Sequence, residues 1–199
     1  GGTPRPAAAA AAAGGGGGGG AGAGAAGKAA GGAGGTATPL APFKLNPDDR
    51  SAQVAVSPNG LLAQCRQARS WGGVRSDTGV TGGRHYFECV MRDEGLCRIG
   101  WASSAASYDL GTDPHGYGFG GTGKKSNSRD FITYGEPFGK GDVIGCFLDM
   151  DGGSVSFSKN GKFYGEAFKL PDKHRGTMYA AICLKNAELE VNFGASPFA

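Results

Sequence analysis

Three stretches of this chain alternate apolar and polar side chains with a period of two, and turn-forming residues separate them. Ile144, Cys146 and Leu148 fall on one side of their stretch, with Val143, Gly145, Phe147 and Asp149 on the other. Val155 and Phe157 alternate with Ser154, Ser156 and Ser158, and Leu189, Val191 and Phe193 alternate with Glu188, Glu190 and Asn192. That period marks half-buried strands, because successive side chains of an extended chain point to opposite faces. Further short strands are predicted over 52–56, 61–65, 85–91, 96–102 and 178–184. Asp151-Gly152-Gly153, Asn160-Gly161 and Ser57-Pro58-Asn59-Gly60 offer the positive backbone angles that tight hairpins need. Many short strands with hardly any helical periodicity predict an all-β fold, a two-layer antiparallel sandwich.

The strand pattern begins near Phe43. Before it, residues 1–41 hold 16 glycines and 16 alanines, and Arg5 and Lys28 are their only charges. No large side chain is available to bury until Leu40, so this low-complexity segment is expected to stay disordered. The folded domain is expected to span 42–199. That part carries 43 residues of the V, I, L, M, F, W, Y set, enough for one core. It holds all 17 acidic residues and 18 of the 20 basic ones, a near-neutral balance that argues against a general nucleic-acid or membrane binder. The alanine run 7–13 is too short to cross a bilayer, and no membrane partner is expected. Five scattered cysteines (Cys65, Cys89, Cys97, Cys146 and Cys183) sit within apolar runs. Buried free thiols in a reducing, intracellular compartment are expected. A chain that starts with Gly rather than Met is expected to be a piece of a longer protein.

Catalytic signatures fail on context. Gly118-Phe-Gly120-Gly-Thr-Gly123 satisfies G-x-G-x-x-G, but a phosphate site needs a helix directly after it, and residues 125–129 offer none. The related phosphate loop also fails, because Lys125 stands where the Mg²⁺-ligating hydroxyl belongs. Asp149-Met-Asp151-Gly152 begins like a calcium loop, yet Asn160 occupies the position of the bidentate glutamate. His85, His115 and His174 have no partners at metal-ligand spacing, and there is no C-x2-C and no G-x-S-x-G. No cofactor, metal or catalytic residue is assigned. The glycine-dense stretch from Tyr108 to Arg129 reads instead as one long loop. Lys124, Lys125 and Arg129 cluster on it, and Arg66, Arg69 and Arg75 bracket Trp71 in a second expected loop. Cations beside an aromatic suit an acidic protein surface or an RNA backbone. Lys124, Lys125, Arg129, Arg75, Trp71 and Tyr108 are the candidate partner-binding residues.

Several phrases resemble a SPRY domain, in order: Gly83-Arg-His-Tyr-Phe-Glu-Cys, Cys97-Arg-Ile-Gly-Trp-Ala, Val143-Ile-Gly-Cys-Phe-Leu-Asp, Ser154-Val-Ser-Phe-Ser-Lys-Asn-Gly and Glu188-Leu-Glu-Val-Asn-Phe-Gly. The resemblance covers 45–194. It implies a B30.2-like, concanavalin-like jelly-roll sandwich that binds proteins through its loops and has no catalysis of its own. Asp109-Leu-Gly-Thr-Asp, Gly116-Tyr-Gly-Phe-Gly-Gly-Thr-Gly-Lys-Lys-Ser, Phe131 and Tyr134-Gly are similar to two subgroups. One is the SPRY insert of DEAD-box RNA helicases, favoured by Leu45-Asn-Pro-Asp-Asp-Arg and Asp93-Glu-Gly-Leu-Cys-Arg. The other is the heterogeneous nuclear ribonucleoprotein U-like proteins, which would make the module an RNA or RNP binder. Walker A and Asp-Glu-Ala-Asp are missing from this chain, so ATP and Mg are implied only for a helicase parent. A monomeric domain acting in RNA metabolism, in the nucleus, the cytoplasm or both, is implied.

Overall fold

The structure, a computed structural model, describes residues 38–40, 42–172 and 176–199. Fifteen strands lie among them: β1 (Thr38–Pro39), β2 (Leu45–Arg50), β3 (Val54–Val56), β4 (Leu62–Cys65), β5 (Gly72–Ser76), β6 (Arg84–Met91), β7 (Leu96–Ala102) and β8 (Gly116–Gly120). There follow β9 (Lys124–Asn127), β10 (Asp130–Thr133), β11 (Val143–Asp149), β12 (Ser154–Lys159), β13 (Lys162–Lys169), β14 (Tyr179–Lys185) and β15 (Ala187–Asn192). No α-helix occurs among the described residues. One sheet runs β13-β12-β11-β6-β15-β4-β3, with β1 added in parallel beside β6; the other runs β10-β9-β8-β7-β14-β5-β2. Apart from β1, all pairings are antiparallel, as the sandwich expectation requires.

The alternating stretches bury the sides their sequence predicts. Ile144, Cys146, Leu148, Val155, Phe157, Leu189 and Val191 line the core. Between the layers the Trp101 and Phe87 rings meet edge-on at 5.1 Å, and Phe119 gathers Tyr134, Phe138, Phe157 and Tyr164 around itself at 5.0–5.9 Å. Each fully buried side chain of this size contributes about 2–3 kcal/mol through removal of apolar surface from water. The hairpins also fall where expected. Asn160 and Gly161 take positive φ (47° and 79°) between β12 and β13, and Gly60 (72°) closes the β3–β4 turn. All five cysteines are buried and free. Burial pushes the Cys89, Cys97, Cys146 and Cys183 thiols above their ordinary range, which disfavours the nucleophilic thiolate.

Three expectations need correction. The stretch 108–129 is not one loop: β8 and β9 occupy its second half, and a strand follows Gly123 where a phosphate site needs a helix. The expected loop around Arg75 is the buried strand β5. The fold also starts before residue 42, because β1 pairs with His85 and Tyr86 of β6 and Leu40 is buried in the core. The rest of the expected disordered segment, residues 1–37 and 41, lies outside the described residues.

Candidate partner-binding surface

The outer face of the β10–β2 sheet does not meet solvent along its middle. Residues 103–115 cross it as a strap, and Ala106 and Leu110 of the strap pack on Ala102, Ala181 and Cys183, with half-buried Trp71 alongside. That cover explains why β14 reads as a nearly continuous apolar run: both of its faces are buried. Close approach demands small residues beneath the strap. A Cβ at Gly73 would collide with the Tyr108 carbonyl, and one at Gly118 would sit 3.2 Å from Leu110 Cγ.

Two arginines rise from the sheet and pin the strap. Arg75, 7% exposed, donates from Nε and Nη2 to the two Asp49 oxygens at 2.8 and 2.7 Å and from Nη1 to the Ala106 carbonyl at 2.8 Å. Its guanidinium also lies 4.9 Å from the Tyr108 ring centre, and the Tyr108 hydroxyl donates to Asp49 at 2.8 Å. Arg98 pairs with Asp109, donates to the Leu110 carbonyl at 3.0 Å, and stacks between Trp71 (4.0 Å) and Phe131 (5.1 Å). Burial raises the Asp49 carboxyl. Hydrogen bonds from Arg75 and Tyr108, with the Arg75 charge, outweigh it and hold the group below the usual carboxylate range. Burial and the bond to Asp49 push the Tyr108 phenol up. A carboxyl lowered by folding stabilises the domain above its unfolded value of about 4 and loses that contribution as pH falls through the folded value. Chemical-denaturation midpoints taken from pH 7 to pH 2.5 should therefore fall less steeply for Asp49→Asn than for wild type, and from a lower neutral-pH value. Parallel curves would show that the pair does not carry acid sensitivity.

Beyond the strap the sheet ends in the β9–β10 hairpin. Its two turn residues, Ser128 (φ 53°) and Arg129 (φ 68°), are both left-handed without being glycine, the geometry of a type I′ turn. The strap holds that conformation: Ser128 N–H donates to the Asp113 carbonyl and Arg129 N–H to the Gly111 carbonyl, each at 3.0 Å. Asn127 adds a bond from Nδ2 to the Gly116 carbonyl at 2.9 Å. Backbone strain is thus fixed by tertiary contacts while the Arg129 side chain stays exposed.

The six candidate residues separate into two groups. Lys124 and Arg129 are exposed on the hairpin and form no ion pair among the described residues. Lys125, Arg75, Tyr108 and Trp71 are engaged inside the molecule. Lys125 Nζ donates to the Ala167 carbonyl at 2.6 Å and lies over Phe168 and Tyr134. Arg75 is a strap anchor because Asp49, far away in sequence, reaches it across β2 and β5. Sequence reasoning missed Arg98, hidden in a strand that reads simply as half-buried. It also missed Phe131 (42% exposed) and Ile132 (55% exposed), which stand out on β10.

A two-sheet antiparallel jelly-roll sandwich whose exposed cations and apolar side chains share one edge hairpin defines a β-sandwich recognition fold. A profile described as SPRY domain matches residues 84–196, more than half of the chain, and the chain belongs to the SPRY domain family. It is 53% identical over 175 residues to ATP-dependent RNA helicase Ddx1 of Drosophila melanogaster, covering 86% of this chain and 24% of that protein. It is 47% identical over 173 residues to ATP-dependent RNA helicase DDX1 of Xenopus laevis, covering 86% and 23%. A weaker match, 38% over 139 residues, is to heterogeneous nuclear ribonucleoprotein U-like protein 2 of Mus musculus, covering 62% and 18%. The chain therefore spans about a quarter of the length of the helicases it matches. The SPRY domain of human HERC1 shares the fold with a TM-score of 0.66 at 20% identity, over 76% of this chain and 99% of that one.

Proposed function

We propose that this chain is the protein-docking module of an ATP-dependent DEAD-box RNA helicase, and that it presents Lys124 and Arg129 to an acidic surface of a partner protein. The observation that carries this is the division of the basic residues around the strap and the β9–β10 hairpin. Arg75, Arg98 and Lys125 are spent on internal contacts, whereas Lys124 and Arg129 stand exposed, with no ion pair among the described residues, on a hairpin whose backbone is held in place by the strap. The folded unit is 42–199 together with 38–40, acts as a monomer without a cofactor, and serves RNA metabolism in the nucleus or cytoplasm. ATP, Mg and the catalytic motifs belong to the parent outside this chain.

The test uses polyglutamate as the acidic probe and oligouridine as the RNA probe, both at low salt. Lys124→Glu with Arg129→Glu should weaken polyglutamate binding at least tenfold, while the thermal midpoint stays within about 2 °C of wild type, as for surface substitutions generally. Equal polyglutamate binding by both proteins would sink the proposal. A second reading, direct RNA binding, has its own support in the Trp71–Arg98–Phe131 stack, where one guanidinium lies over two rings and Phe131 is exposed enough to meet a base. Oligouridine binding that is tighter than polyglutamate binding and steeply weakened by salt would favour it.

A further inference from the structure

The two sheets end in four edge strands, and three of them carry features that block the addition of another strand. Edge strand β13 has lysines at both ends and pairs with β12 through two register shifts. Strand β2 contains Pro47 and a register irregularity between Leu45 and Arg50, and β3 is only three residues long. Prolines, lysines, bulges and shortness are the means by which sheets protect their edges. Edge strand β10 is short too, at four residues, but it carries no proline, lysine or register shift. Its sequence is Asp130-Phe131-Ile132-Thr133, every residue is exposed, and it pairs with β9 in unbroken register. Half of its residues are large exposed hydrophobics.

The hairpin fixes which main-chain groups face outward. In a two-residue hairpin the pair flanking the turn is hydrogen bonded, here Asn127 and Asp130, and bonded pairs then alternate with non-bonded ones. Ile132 accordingly bonds to Lys125, and Phe131 and Thr133 direct their N–H and C=O groups away from β9. The same phase brings the Tyr134 N–H onto the Gly123 carbonyl at 3.0 Å, as found. Two outward donors and two outward acceptors on an extended strand fit another extended strand. The two exposed cations say which kind. Arg129 stands at the turn, Lys124 lies opposite Thr133 at the other end, and neither is neutralised by an ion pair among the described residues. A second copy paired antiparallel on this edge would bring its own Arg129 and Lys124 against these two, a like-charge arrangement that disfavours self-pairing.

We propose that β10 takes up an extended, acidic segment of the partner protein as an added strand. Main-chain bonds to Phe131 and Thr133 give the hold, apolar guest residues cover Phe131 on one face and Ile132 on the other, and guest carboxylates face Lys124 and Arg129. This rests on the docking function proposed above and specifies how that docking is made.

A random twelve-residue peptide display library panned on the full 199-residue chain supplies the probes, which are then synthesised and titrated. The expected winners alternate apolar and acidic residues and lack proline. They should bind Thr133→Pro at least tenfold more weakly than wild type, because this change removes an outward N–H and leaves the β9 ladder and every charge in place. Hydrogen exchange should show the Phe131 and Thr133 amides gaining protection with peptide bound. Should Thr133→Pro lower the thermal midpoint, Ile132→Lys replaces it, since that side chain is exposed, and the same loss is expected. Undiminished binding to these variants overturns the strand-addition proposal. So does a library that enriches nothing, a dimer on this edge, or protection of the same amides by oligouridine instead of peptide. Loss with Lys124→Glu/Arg129→Glu but none with Thr133→Pro sinks strand addition and leaves charge-based docking standing; loss with neither sinks both.

Discussion

Replacing Arg75 with alanine should destabilise the domain by about 3 kcal/mol, near the lower end of the range for breaking one side of a buried ion pair. The cost comes from what is left behind. Asp49 keeps only the Tyr108 hydroxyl among the described hydrogen bonds, and the Ala106 carbonyl, on the strap itself, loses its donor. At roughly 2–4 °C per kcal/mol for a domain of this size, the thermal midpoint should fall by about 6–12 °C. Arg75→Lys should recover little, because an ammonium cannot make the two parallel bonds to Asp49 and still reach Ala106. The hairpin double substitution is the natural comparison: it should weaken binding at least tenfold at a nearly constant midpoint. An Arg75→Ala protein that melts like wild type would mean that Arg75 is a recognition residue after all, and that the strap is held by Arg98 and Leu110 alone.

Phe119→Ala should cost about 3–5 kcal/mol and lower the midpoint by on the order of 10 °C, measured by thermal unfolding. Phe119 is fully buried and touches four other rings, two of them (Tyr134 and Phe138) from the segment that joins β10 to β11. Its neighbours in the strand, Gly118 and Gly120, face the opposite way, where Leu110 and Arg98 lie against them. An alanine at 119 therefore empties a site that the rigid β8 backbone cannot collapse to fill. The loss should appear in stability, with the exposed hairpin cations unaffected at temperatures well below the new midpoint. A cost below about 1 kcal/mol would mean that the surrounding rings repack freely and that the layer is softer than its ring contacts imply.

Gly116 to Gly120 also shows why part of the fold was hidden from the sequence. Strand period is present there, but glycine stands where a polar residue would mark the outer face, because that face lies under the strap and not in water. The same cover disguises β5, where paired glycines and a buried arginine look like a loop. Strands β11, β12 and β15 were legible since one of their faces does meet polar surroundings or solvent-facing ion pairs. The candidate surface was legible only by composition. A run of basic residues names which side chains carry charge, but the partner that claims each one arrives from elsewhere in the chain: Asp49 to Arg75 and the Ala167 carbonyl to Lys125. Phe131 enters only through the family resemblance and Ile132 carries no signal, because a short strand exposed on both faces has no alternation to detect.

Tyr86 has a place in this architecture that reaches past its own packing. Pro39 of β1 lies in register beside it, the Phe198 ring rests against its ring at 4.7 Å, and the Ala199 N–H bonds to Glu88, which the Tyr86 hydroxyl also contacts. Residues 39 and 198–199 thus lie beside the same stretch of β6. Tethering both points to neighbouring positions on a larger body requires no stretching, and a pull between them loads Tyr86 and Glu88 while the hairpin, out on the edge of the other sheet, keeps its shape.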